Sequence, residues 1–170
     1  TMMRPAPGEA PPYHQAYIDT LGDDDILEAL ATQLEDTVAL LEGPLAARGD
    51  HAYAPGKWTV KEALLHVIDG ERIFAYRALR RARGDETPLP GFDQNTYTPE
   101  SRANDRTLES LVEEFRAVRQ ATVTLFRSFA PDVLTRRGTS GGNEYTVRAW
   151  AAIIAGHERH HVAVFRERYL

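Results

Sequence analysis

Two histidines, His157 and His161, stand four residues apart in the stretch TVRAWAAIIAGHERHHVAVFRERYL. At helical spacing its apolar positions run Val147, Trp150, Ile154, His157, His161 and Val164, in steps of three or four. Imidazoles therefore hold two positions where the pattern asks for hydrophobic side chains, one turn apart on one face. Burying either without a partner would cost about 1–3 kcal/mol. One divalent ion satisfies both, because histidines at i and i+4 present ring nitrogens to a common point. His66 lies in LLHVIDGER among Leu64, Leu65, Val67 and Ile68, a setting apolar enough to bury it, and is the best candidate for a third ligand. Three histidines with one open place match the ligand count of a catalytic zinc site. Imidazole also suits nickel and other first-row ions.

Other readings compete. The string His157-Glu158-Arg159-His160-His161 matches HExxH, in which the glutamate serves a zinc protease as general base. No further ligand pattern of that kind accompanies it. His160 falls off the apolar stripe and is read as exposed or as an outer group of the site. Asp69 and Glu62, each about one turn from His66, are candidates for orienting the imidazoles by hydrogen bonds. Glu62 suits a helix cap better. His14 and His51 lie in the N-terminal segment and before a Pro55-Gly56 turn, and are set aside. A bundle with no metal, its histidines bonded to carboxylates, and a closed metal site of purely structural role are the rival readings.

The elements that must position these groups are helices. The first is expected from about Asp23 to Ala47, with Ile26, Leu27, Leu30, Leu34, Val38, Leu41 and Leu45 on one face and Gly43-Pro44 fraying its end. The second runs from about Val60 to Ala82, and Thr59-Val60-Lys61-Glu62 reads as a capping box. The third runs from about Leu108 to Ala130 behind Thr107, and Pro131 ends it. The fourth runs from about Val147 to Tyr169 behind Thr146, after a turn-prone Gly138–Asn143 that is either a short hairpin or a loop. The fold class is all-α, an antiparallel four-helix bundle over residues 23–170, with 1–22 as an N-terminal extension. The long connection 83–106 contains Pro88, Pro90, Gly91 and Pro99 and is expected to be non-helical. Leu89, Phe92 and Tyr97 give it side chains to pack as an ordered cover, and connections of this length are usually functional or disordered.

Composition narrows the function. The chain has 170 residues, 42% hydrophobic, net charge −5 and no cysteine. That is one globular domain with no disulfide, thiolate ligand or cysteine nucleophile. The charge gives no support to nucleic-acid binding. The one basic cluster, Arg77, Arg80, Arg81 and Arg83, is read as a solvated helix end, where cations suit the macrodipole. No apolar run reaches the ~18 residues that span a bilayer. With no apolar leader at the N-terminus, a cytoplasmic location is expected.

Three segments at matching separations carry a family resemblance: Pro55-Gly56-Lys57-Trp58-Thr59-Val60-Lys61-Glu62 followed by His66 and Asp69; Phe92-Asp93-Gln94-Asn95-Thr96-Tyr97; and Gly156-His157-Glu158-Arg159-His160-His161. From about Tyr13 onward the chain resembles the DinB-like (YfiT-type) metal-dependent proteins. The resemblance implies a four-helix bundle holding one divalent metal, zinc or nickel, at His66, His157 and His161, and a homodimer. Some relatives are transferases that use a low-molecular-weight thiol of the bacillithiol or mycothiol type, and others resemble mycothiol-dependent isomerases. The expected function is therefore metal-dependent transfer of such a thiol to an electrophilic small molecule. A metal-dependent hydrolase and a non-catalytic metal-binding bundle are the alternatives. Asp93, Gln94 and Tyr97 on the long connection are candidate pocket residues.

Overall fold

The computed structural model describes residues 1–170. It contains six α-helices: α1 Pro12–Asp19, α2 Ile26–Glu42, α3 Val60–Ala82, α4 Gln94–Ser101, α5 Leu108–Arg127 and α6 Val147–Arg168. A hairpin of β1 Arg137–Ser140 and β2 Asn143–Thr146 precedes α6. The helix starts are local events. Asp25, Thr59, Thr107 and Thr146 each accept a backbone N–H three residues on, at 3.0–3.2 Å. The Thr59 N–H in turn donates to Oε1 of Glu62 at 3.0 Å, completing the capping box. α2 stops at Glu42 rather than Ala47. A side chain at Gly43 would meet the Ala39 carbonyl at 2.9 Å, and Pro44 follows.

The long helices form a square in which α6 lies between α3 and α2, and α5 closes the other side. Residue pairings set their directions. Tyr169 meets Trp58 and Trp150 stacks on Phe74, so α3 and α6 run antiparallel. Leu30 pairs with Arg119 and Glu35 with Arg116, so α2 and α5 are antiparallel too. Val60 and Leu64 share a cluster with Leu108 and Leu111, and Tyr76 and Leu79 lie beside Ala121 and Leu125, so α3 and α5 are parallel. The order along the chain is up, down, down, up. An alternating bundle needs only short loops. This one needs a connection returning the length of α3, roughly 35 Å at 1.5 Å per residue. The stretch between α3 and α5 does that, pairing Leu89 with the hairpin at one end and Asn104 with Thr59 at the other.

The structure corrects two expectations, the non-helical return connection and the extended N-terminal segment, and decides a third point left open. The return connection is not free of helix, because Asp93 caps α4 through the Asn95 N–H at 2.9 Å, and Arg102, in the left-handed region at φ 53°, ends that helix after two turns. The fold is mainly α, as expected, and of the two alternatives for the turn-prone stretch before α6 the hairpin is the one formed, with Gly141 and Gly142, at φ 58° and 81°, making its tight turn. Residues 1–22 hold α1, which packs along α6, while Met2 is buried and its carbonyl accepts the Ile26 N–H.

Two apolar clusters fill the bundle. One gathers Leu30, Phe74, Val123 and Ile154, and the other Val38, Ile68, Val118 and Phe165. Between them, on every long helix, stands a buried polar group: Thr37, Glu71, Arg119 and Glu158. Arg119 is 1% exposed and binds both glutamates, at 2.7 Å and 2.8 Å. This belt ties α3 and α6 together through α5. No helix is long and apolar enough to cross a membrane.

Candidate metal centre

The α3–α6 seam brings His66, His157 and His161 together. Nε2 of His157 lies 3.0 Å from Nε2 of His66 and 3.1 Å from Nε2 of His161. One ring nitrogen from each falls within 4.8 Å of the others. Tetrahedral bonds of about 2.0–2.1 Å would hold ligand nitrogens roughly 3.4 Å apart. Each of the two separations from His157 needs to open by only a few tenths of an ångström to match that spacing. Burial holds all three imidazoles neutral: His66 is pushed down to about 4, His161 to about 3, and His157 well below the usual range. Desolvation is the main cause, and neighbouring histidines add to it. A neutral imidazole keeps the lone pair that a metal requires. The donor set thus fits a divalent cation.

Packing orients the rings. The Trp58 ring lies 4.8 Å from that of His66, and Tyr17 sets its ring edgewise on His157 at 5.4 Å. Two glycines make room. A Cβ at Gly70 would touch Cε1 of His157 at 3.4 Å, and one at Gly156 would strike the Tyr17 carbonyl oxygen at 2.0 Å. Only hydrogen at position 156 lets α1 lie against α6 and deliver Tyr17 to the histidines.

The cluster opens into a cavity of about 340 Å³. Its walls come from α1 (Tyr13, His14, Tyr17), α3 (Phe74, Arg77), the return connection (Phe92, Gln94) and the hairpin (Asn143, Tyr145). No aspartate or glutamate lines it.

The other candidates scatter. His160 is exposed but lines the cavity mouth, its ring 5.1 Å from that of His161. Gln94 joins the wall. Asp93 is the α4 cap, and Glu62 is the α3 cap. Tyr97 packs on Phe92 at 5.4 Å and borders a separate groove with Asp69. Asp69 hydrogen-bonds none of the three imidazoles. Glu158, the glutamate of the HExxH string, turns away from the cavity. Its carboxylate is held by Arg119, Thr37 and Gln33 at 2.7–2.8 Å, which removes it as a general base here.

Some cavity residues escaped the sequence. His14 is half-buried in α1, not extended, and its Nδ1 pairs with the Tyr145 hydroxyl at 2.7 Å. Arg77 is not a solvated helix end. It is 7% exposed, with its guanidinium over the Phe92 and Trp150 rings. The one available sign was its position, eleven residues beyond His66 and so on the same helical face.

The sequence model of the DinB superfamily matches residues 29–165. The chain belongs to the DinB superfamily. Among similar members, a Bacillus pumilus (strain SAFR-032) protein named as a proposed metal-dependent hydrolase is 27% identical over 159 residues, covering 90% of this chain and 83% of its own. Among solved structures, YfiT from Bacillus subtilis matches with a TM-score of 0.70 at 16% identity, over 98% of this chain and 91% of its own. It is described as a probable metal-dependent hydrolase with an unusual four-helix bundle topology. At that identity the likeness speaks for the fold.

Proposed function

We propose that this DinB superfamily member is a metal-dependent enzyme whose ion is held by His66, His157 and His161 and whose nucleophile is a low-molecular-weight thiol. The observation that carries the first part is the meeting of three neutral, buried imidazole nitrogens at the head of a cavity. Zinc or nickel is the ion that such a donor set favours. A divalent ion on three neutral ligands keeps its full charge for a fourth, lowers the pKa of a thiol or water there, and polarises an electrophile.

The chain's own groups supply the rest. Tyr17 is raised to about 12 by burial and its neighbour Tyr13, so its hydroxyl keeps its proton and serves as a donor. Phe74, Tyr145 and Trp58 give the cavity apolar faces for an electrophilic small molecule. His160, at the mouth beside His161, is placed to pass a proton to solvent. No carboxylate lines the cavity to serve as general base towards water, and a thiol, with an ordinary pKa of about 8.5, gives up its proton without one more readily than water does. Hydrolysis is the second reading, supported by the names of the relatives.

Metal content is the first test. One equivalent of zinc or nickel is expected per chain, and a chelator is expected to lower Tm. Loaded protein is then assayed with bacillithiol, mycothiol and glutathione against an electrophile panel, and with esters and amides. Conjugation with one thiol, lost in the chelated protein and in His157→Ala, is the expected result. Turnover of esters or amides with none of the thiols would overturn the transferase in favour of the hydrolase.

A further inference from the structure

Arg77 is the one fixed charge in the cavity. No carboxylate lies within ion-pairing distance of it, although nearly every other buried or half-buried arginine on α3, α5 and α6 has one. Its guanidinium is flanked by the Phe92 ring at 5.6 Å and the Trp150 ring at 5.2 Å. Nη2 donates to the Pro90 carbonyl at 3.0 Å. Nε and Nη1 make no hydrogen bond, yet neither is sealed, and Arg77 lines the cavity. A buried cation is ordinarily paired, because desolvating it alone is unfavourable. The aromatic faces return only part of that loss. With three neutral histidines and no aspartate or glutamate in the walls, no anion of the protein balances this charge.

We propose that the small molecule bound here carries an anionic group, a carboxylate or a phosphate monoester, that pairs with Arg77 while its reacting end lies at the histidines. The proposal takes from the preceding reading only that this cavity is where substrate binds. Arg77 and His66 share a face of α3 three turns apart, a rise of about 16 Å. Helical side chains lean towards the N-terminus, which brings the guanidinium back towards the histidines. The ligand is therefore elongated, with its anion towards the hairpin. Arg77 is a specificity-determining residue in this account, since a guanidinium can bind carboxylate or phosphate through two parallel N–H groups.

Calorimetric titration of the full chain with hexanoate, hexyl phosphate and 1-hexanol tests this. The series is run on metal-loaded protein and on chelator-treated protein, with metal content measured on the same samples. At least one of the anions is expected to bind roughly tenfold or more tightly than hexanol, the scale of a charge-assisted hydrogen bond. That preference should persist without metal, vanish in Arg77→Met and partly survive in Arg77→Lys. Whichever of hexanoate and hexyl phosphate binds more tightly identifies the anion. Equal binding of hexanol and both anions by the wild-type chain overturns the proposal without reference to any variant. So does a preference seen only with metal, which would place the anion on the ion instead, or one that Arg77→Met retains. A chain that takes up no metal but keeps an Arg77-dependent preference loses the metal reading and retains this one.

Discussion

Replacing Arg119 by methionine tests whether the charged belt holds the metal helices in register. Arg119 makes three contacts with Glu71, through Nε at 3.1 and 3.2 Å and Nη2 at 2.7 Å. Its Nη1 reaches Glu158 at 2.8 Å and the Leu30 carbonyl at 3.0 Å. Methionine fills much of the same volume, so the loss is electrostatic. Glu158 would keep Thr37 and Gln33, but Glu71 has no other side-chain partner. Breaking a buried pair from one side costs about 3–5 kcal/mol. For a chain of this size that is a fall in Tm of roughly 6–20 °C. Urea unfolding followed by circular dichroism measures it. Glu71→Gln/Arg119→Met removes the orphaned charge and should recover a large part of the deficit. The single variant's deficit should also narrow from pH 7 to pH 5. An unpaired buried carboxylate is most stable when protonated, so folding of the variant gains relative to wild type as protons become available. A loss under about 1 kcal/mol, far below what an uncompensated buried charge implies, or a double variant no better than the single, would refute the reasoning.

Alanine at His66, His157 or His161 abolishes stoichiometric metal binding, whereas alanine at His160, His14 or His51 leaves it; metal analysis that finds full occupancy in His161→Ala would sink the assignment. Gly156→Ala drives a Cβ into the Tyr17 backbone and destabilises by about 1–3 kcal/mol, read by urea melts, with a change below 0.5 kcal/mol counting against the close approach of α1. His14 titrates near 4, because burial and then the Arg77 charge disfavour its imidazolium inside a shell of Tyr13, Tyr17, Phe74, Tyr145 and Trp150. A depressed folded pKa means that its share of stability is present above about 6.5, the ordinary histidine value, and is lost as pH falls towards 4. An NMR midpoint near 6.5 for His14, or one that Arg77→Met fails to raise, contradicts this.

What the sequence discloses is what local rules decide. Thr59, Thr107 and Thr146 cap where expected because a cap depends on three neighbouring residues. His157 and His161 share a face because 3.6 residues make a turn. Hydrophobic period carries no direction, so nothing in it distinguishes an alternating bundle from the up-down-down-up order seen here. The excess length between α3 and α5 is the only trace of that order. α1 is hidden because PYHQAYID buries one residue, Ile18, and offers no apolar stripe. In the sequence, three nearby arginines mask Arg77 as part of a solvated helix end. Its real neighbours, Phe92 and Trp150, are far away in sequence.

The layout separates two tasks. The three histidines sit on α3 and α6, long helices cross-tied through Arg119, where a shift of one side chain would propagate through packed neighbours. The far wall of the cavity comes from α1, the return connection and the hairpin, none of which contributes to the polar belt. Tyr13, Gln94 and Asn143 are surface or half-buried residues on those segments, and changing them disturbs no buried charge. Arg77 stands at the join, carried by the helix of His66 but held by Pro90, Phe92 and Trp150. Relatives with the same three histidines could therefore differ in what they bind through these short segments, with the metal centre unchanged. On the proposed function, the reacting end of a substrate is set by the bundle, and its identity by the parts of the chain that helical periodicity does not describe.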